Sequence, residues 1–466
     1  MADGDGGRGV DANGSRGAGE RFFDLLSADG QRLAPVAYRF LHSQPAGEGG
    51  PARLATSRHY RARGYVCFAF HKPISKCLAG PEASPGDDTG GEEAERRAGE
   101  EKAAAPAISP RAPGAAAFAL FACCVPVRGA RRSVICDLQR QSLHFIPNGL
   151  YEILTEHRGK TTAAVKEHYA HEADEEIDEY FDFLLREELG FWCDDPESFP
   201  DLDLSWDPPE RITNAILDVD AGSAHDYPAI LRQLDDLGCK ALEARFFHAC
   251  RLGDLTALLA AAEGGRLRSI ELLAGWGEEL VPPALEGLAA AYQRLSGIVV
   301  HSAPPWRQHR WTVERLGTAM EYVTERIDSP RCCGKIHPGQ LVVNLETFAE
   351  ARQFNSCLNR KVAIDARGEI RNCPSLPRSF GNVREVSLHS ALAHRDFPAL
   401  WAINKDQIAV CKDCELRYVC TDCRAYLSEG AGLYSKPATC TYDPYTATWN
   451  PPAAAAAAGS AKGDTP

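Results

Sequence analysis

Long apolar runs are what this 466-residue chain most plainly lacks. The longest, residues 115–127, has 13 residues, whereas a membrane-spanning helix needs about 20. The sequence therefore offers no transmembrane segment, and no membrane partner is expected. The first residues, MADGDGGRGVDANG, hold no apolar core of the kind a signal peptide carries, so a cytoplasmic protein is expected. Positive charge is short as well: 51 Lys and Arg stand against 64 Asp and Glu, a net charge of −13. A nucleic-acid-binding surface normally shows as a basic excess, so nucleic acid is not an expected partner.

Cysteine, by contrast, is plentiful. Seventeen cysteines in a chain without an export signal read as metal ligands or thiols rather than structural disulfides. Seven lie between positions 357 and 440. The other ten are scattered, apart from the adjacent pairs Cys123/Cys124 and Cys332/Cys333. Adjacent cysteines ligate one metal poorly, so both pairs are expected to be buried small apolar residues.

At about 150 residues per domain the length allows roughly three domains. Residues 1–113 are rich in Gly, Ala, Arg, Pro and Glu and too poor in large apolar side chains to offset chain entropy, so a disordered extension is expected. One strand at 65–74 is the exception. The low-complexity tail over 450–466 is expected to be disordered too. Residues 114–200 read as a winged helix: a strand over 117–127, a hairpin over 133–147 turning at 138–141, three helices, and the short strand FWC. Asn148, either Thr161 or Thr162, and Asp174 are the expected helix caps. Ile177, Phe181, Leu184 and Leu185 form the apolar stripe of the third helix, and Gly190 ends it.

Over 205–350, strands and helices alternate about every 25 residues, which predicts parallel strands with crossover helices. The strands are expected at 212–220, 239–247, 267–274 and 298–303, with a further one at 340–345 (QLVVNL). About five strands suit a partial or open α/β barrel rather than a closed eight-unit one.

The cysteines of 351–449 carry the chemistry. Cys357 is followed by ten residues, Gly368, four residues and Cys373; then come Cys411, Cys414, Cys420 and Cys423 within CKDCELRYVCTDC, and finally Cys440. Two ligands two residues apart can grip one centre, because a tight turn brings both sulfurs to one side. Four thiolates fill one tetrahedral zinc or one four-iron cluster, so seven cysteines imply two centres. A zinc ribbon using only the four central cysteines would leave Cys357, Cys373 and Cys440 without a role.

This pattern resembles the SPASM domain of radical-SAM peptide maturases, a domain that holds two auxiliary iron–sulfur clusters. The family has three residues between the last two clustered cysteines; here Thr421 and Asp422 make only two. The segments FNSCLNRKVAIDARGEIRNCPS, INKDQIAVCKDCELRYVCTDCRAY and YSKPATCTYDPYTATW are similar to the SPASM protein of grasp-with-spasm peptide-modification systems. The resemblance implies two [4Fe-4S] clusters, the first held by Cys357, Cys373 and Cys423 and the second by Cys411, Cys414, Cys420 and Cys440. The first would then have an open iron or take a further ligand. A precursor peptide and an ATP-grasp ligase are the implied partners, and a partial radical-SAM-like (TIM-type) barrel is the implied middle domain.

One departure bears on the chemistry. Radical-SAM enzymes carry Cys-x3-Cys-x2-Cys after the first barrel strand, where this chain reads DVDAGSAHDYPAI, and the motif occurs nowhere in it. S-adenosylmethionine is therefore not an expected cofactor. Asp218, Asp220 and His225 at that strand end, and Glu271 and His301 at later ones, can contact substrate, but a solvated loop with an incidental histidine is the expected reading. The winged helix is similar to peptide-recognition elements of ribosomal-peptide maturases, which add a leader peptide as an edge strand, here along 134–145 and helix 175–189. Eight acidic residues between 174 and 188 would repel phosphates, which argues against DNA. Three roles follow: a component that binds and delivers the precursor, an enzyme acting through the open iron, or a zinc-stabilised peptide-binding scaffold.

Overall fold

The computed structural model describes residues 116–450, apart from positions 314 and 431. The expected extension over 1–113, with its strand at 65–74, lies outside the described residues, as does the tail from residue 451.

The apolar run at 117–127 forms two strands rather than one, because its halves bond to different partners. β1 (Ala117–Leu120) pairs antiparallel with β5 (Gly190–Cys193), and β2 (Cys124–Val127) pairs with β3 (Ser133–Asp137). β3 turns at 138–141, as expected, into β4 (Ser142–Ile146). The Asp137 carboxylate builds that turn, accepting the backbone N–H groups of Gln139 at 3.0 Å and Arg140 at 2.8 Å. The order of this sheet is β2-β3-β4. Helices α1 (Asn148–Glu156), α2 (Thr162–His168) and α3 (Asp174–Arg186) close over it, with Phe118, Ile135, Leu150, Ile177, Phe181 and Leu184 in one core.

Three local expectations are corrected. Thr161 caps α2, accepting from Ala164 N at 3.2 Å, but Asn148 and Asp174 are each the first helical residue, with Pro147 and Ala173 before them. The Asn148 side chain instead accepts the Ser133 hydroxyl at 2.7 Å and donates to the carbonyls of Gly129 and Ala130, tying α1 to the β2–β3 loop. Leu185 is 39% exposed and lies off the stripe. Glu188, not Gly190, takes the left-handed backbone that ends α3, at φ 53°. Gly190 belongs to β5, where a Cβ would stand 2.3 Å from the carbonyl oxygen of Ala119.

The main sheet has eight strands in the order β10-β11-β9-β8-β7-β6-β12-β13. β6 (Asn214–Val219), β7 (Ala241–Ala249), β8 (Ser269–Gly275) and β9 (Leu295–His301) are parallel, with crossover helices α4 (Tyr227–Asp236), α5 (Leu252–Ala261) and α6 (Pro282–Ala291). The chain is thus α/β with a mostly parallel sheet, as the alternation predicted. A hairpin that the sequence reading missed, β10 (His309–Val313) and β11 (Thr318–Tyr322), extends one side, β11 running parallel to β9. The strand expected at 340–345 is absent. Val342 and Val343 are buried in irregular backbone against the C-terminal region, and Leu345 opens α7 (Leu345–Gln353).

On the other side, β12 (Lys361–Ile364) runs parallel to β6 and turns into β13 (Ile370–Arg371), so the cysteine-bearing segment joins the sheet directly. Gly368 in that turn has φ 91°, a conformation that suits glycine.

Strand alternation separates two faces. Leu217, Leu242, Ala244, Phe246, Ile270, Leu272 and Ile298 pack under the helices. Ile216, Asp218, Glu243, Arg245, Glu271, Leu273 and Lys361 face the other way, where the 323–333 segment packs Ile327, Cys332 and Cys333 against Leu273 and Val299. In the helix-side core, burial pushes the Cys239 and Cys250 thiols up to about 12. An acid whose pKa rises on folding stabilises the fold only while protonated. That contribution is complete below about pH 8.5, the ordinary thiol value, and is lost as the pH climbs toward about 12. Denaturation midpoints measured across that range should fall less steeply for a Cys239→Ala, Cys250→Ala protein than for the parent.

Candidate metal centre

Asn355, fully buried, sets the turn that presents Cys357: its side-chain oxygen accepts the N–H groups of Cys357 and Leu358 at 3.0 Å each. Its amide nitrogen donates to the Asp422 carboxylate at 2.7 Å. Asp422 also takes both Arg424 nitrogens, Nε at 2.6 Å and Nη2 at 2.7 Å, and both side chains are fully buried. Ser356 donates to the Cys420 carbonyl at 3.1 Å and accepts from Asp422 N at 3.1 Å. The two residues between Cys420 and Cys423 are thus pinned from below, and the two cysteines serve different groups.

Cys423 lines a partly open cavity together with Cys357 and Cys373. A fourth cysteine, Cys333, lines the same cavity. Ile216 and Glu243 on the polar face of the sheet, Lys361 of β12, and Tyr426 are also in its wall. Burial pushes the Cys373 thiol up to about 12, and the neighbouring Cys333 and Cys357 push the same way. Burial does the same to Cys423, also to about 12, with Cys357 and Cys333 adding to it. Cys332 and Cys333 are therefore half-buried rather than buried core residues, and Cys333 is the site residue that the sequence reading missed.

The other four cysteines gather around Lys405. Cys411 and Cys414 are joined by a single tight turn, with Cys414 N donating to the Cys411 carbonyl at 3.0 Å. The Lys405 ammonium donates to Cys420 Sγ at 3.3 Å and to the Thr421 carbonyl at 3.1 Å. Burial pushes Cys411 up to about 11 against the pull of Lys405, and it raises Cys440, with Cys420 as the next contributor. The loop between Cys414 and Cys420 is held by buried Glu415, which accepts from Arg132 Nε at 2.9 Å and from the Tyr442 hydroxyl. Val127 and Val134 of the small sheet pack against Leu416, Val419 and Tyr442 here. No disulfide is formed among the described cysteines.

Spacing distinguishes the donor sets. A zinc ion with Zn–S bonds of about 2.3 Å holds its four sulfurs roughly 3.8 Å apart. Among the described residues, the one group of three or more Cys, His, Asp or Glu ligand atoms within 4.8 Å of one another is Cys123, Cys124 and Asp137. Cys124 is buried in the core beside Ile135 and Phe118 and Cys123 packs against it, as expected of small apolar residues, and Arg140 already pairs with Asp137. Among the described residues, no three ligand atoms of the two larger groups lie within 4.8 Å of one another. Thiols held protonated by burial must lose their protons to bind metal, so loading releases protons.

No family model matches the chain, and no curated protein matches it. Its chemistry is read from its residues.

The acidic residues at the strand ends divide. Asp218 is buried, not solvated, and grips Arg245 through Nε–Oδ1 at 2.6 Å and Nη2–Oδ2 at 2.9 Å. Burial pushes its carboxyl up to about 6 even though Arg245 pulls the other way. Asp220 is exposed and closes a loop through Gly222 N. His225 bonds to the Asp218 carbonyl at 2.9 Å. His301 is a buried core histidine whose Nε2 meets the Phe246 carbonyl at 3.0 Å. Glu271 is buried beside Glu243, its register partner on β7.

Proposed function

We propose that this chain is a precursor-peptide maturation component of the grasp-with-spasm type, carrying two auxiliary [4Fe-4S] clusters and acting with an ATP-grasp ligase. The observation that supports this reading is the gathering of eight cysteines into two groups of four, Cys333, Cys357, Cys373 and Cys423 around one cavity and Cys411, Cys414, Cys420 and Cys440 around Lys405. Cys333, Cys357, Cys373 and Cys423 would hold one cluster, and Cys411, Cys414, Cys420 and Cys440 the other. Such clusters supply one-electron chemistry or a rigid fold anchor. With Cys333 as fourth thiol, the first group needs no open iron, and the role of binding and delivering a precursor is favoured over catalysis at that iron. The open sheet would be a partial radical-SAM-like barrel without the S-adenosylmethionine motif.

On the winged-helix reading of 114–200 the precursor would add along β4, one of the two outer strands of β2-β3-β4. Phe145 on that strand is 42% exposed, with the Arg132 guanidinium 3.7 Å from its ring centroid. The end of α3 lies alongside, since Arg140 donates to the carbonyls of Glu187 and Glu188. Added peptide is expected to slow amide exchange over 142–146.

The test is iron, sulfide and zinc content of anaerobically purified protein. About eight irons with matching sulfide and a broad absorption near 400 nm are expected. Zinc without iron would overturn the cluster reading and leave a zinc-stabilised peptide-binding scaffold.

A further inference from the structure

We propose that Lys361 and Lys405 set the reduction potentials of the two cysteine centres, each by holding a buried ammonium against the sulfurs of one group. The inference rests on the cluster reading above. Lysine is among the residues least often fully buried, and an ammonium taken out of water needs compensating negative charge. Here there are two such lysines, 5% and 3% exposed, and each belongs to one cysteine group. Lys361 leaves the polar face of the sheet at the start of β12 and points its Nζ to Cys357 Sγ at 3.7 Å. Lys405, on a single tight turn, reaches Cys420 Sγ at 3.3 Å and the Thr421 carbonyl at 3.1 Å.

A four-iron cluster with four thiolates is an anion, and one added electron makes it more negative. A fixed positive charge and an N–H donor at a ligand sulfur stabilise the reduced form more than the oxidised one, which raises the potential. The step is a one-electron transfer from a low-potential donor, taking the cluster core from 2+ to 1+. No bond breaks, no proton moves, and the ammonium keeps its three hydrogens throughout. The two lysines differ in reach. Lys405 approaches its sulfur more closely and is anchored by a second acceptor, so its effect is the larger.

The test uses full-length protein loaded anaerobically with iron and sulfide and titrated with dithionite under electron-spin-resonance detection. Lys361→Met is expected to move one of the two midpoints to lower potential and leave the other in place. Lys405→Met should move the other one, and further. Lys361→Arg and Lys405→Arg should return the midpoints toward the parent values. Where a methionine variant loses iron, Lys361→Gln and Lys405→Gln, which keep a donor and drop the charge, carry the same test with smaller shifts. Full iron content with both midpoints unmoved would overturn the inference and leave the cluster reading standing. A parent protein that takes up no iron would overturn both.

Discussion

Replacing Cys333 by serine is expected to cut the iron content from about eight to about four per chain, with sulfide falling in step. The argument is one of geometry. Cys333 reaches the first cavity from the 323–333 segment, which is held on the sheet by Leu273, Val299 and Ile327. Cys357, Cys373 and Cys423 line the same cavity. A hydroxyl at 333 leaves the first group with three thiols and the second group, around Lys405, intact. Cys332→Ser is the control. Cys332 packs beside the same apolar residues but does not line the cavity, so its iron content should stay at the parent level. Undiminished iron in the Cys333→Ser protein would show that the first centre closes without this residue.

Arg424→Met is expected to lower stability by about 3–5 kcal/mol, the loss associated with stranding one partner of a buried ion pair. Asp422 would keep Asn355 and Ser356 but lose both guanidinium bonds, and the carbonyls of Leu433 and Ser435 would lose the donor they share. Because the same carboxylate pins the turn between Cys420 and Cys423, both centres should hold iron less well. Pairing the change with Asp422→Leu should recover much of the loss, since an apolar pair carries no stranded charge. Chemical denaturation of the three proteins checks this. A loss below about 1 kcal/mol for Arg424→Met would place the pair among ordinary surface ion pairs.

The parts of the fold legible in the sequence are those where local pattern and tertiary role agree. The βα alternation over 212–303 became β6 to β9 with their helices, because each apolar run is also a strand buried on both faces. The hairpin turn at 138–141 was legible because Asp137 supplies the turn chemistry. Local signals misled where burial came without pairing. QLVVNL is apolar because it fills a core, not because it joins a ladder. Asn148 and Asp174 are good cap types standing one position inside their helices, each with another task. The β10–β11 hairpin was missed because HRWTV, half exposed at a sheet edge, shows no strong alternation. Cys333 and the two lysines carry no local signal. An adjacent cysteine pair has no ligand spacing, and a lysine in KVAI looks like a solvent residue until β12 is placed against β6.

That last pairing has a consequence for how the molecule assembles. β6 and β12 meet across a separation of 147 residues, where the Arg360 carbonyl receives both the backbone N–H and the hydroxyl of Thr213. Contacts of such long range form late and slowly, since the loop between them must close first. Until β12 arrives, β6 presents an open, apolar edge of the kind that recruits other chains. The segment that fills that edge brings Cys357 and Cys373 with it, so the nascent sheet is shielded at the same moment that the thiols reach their places.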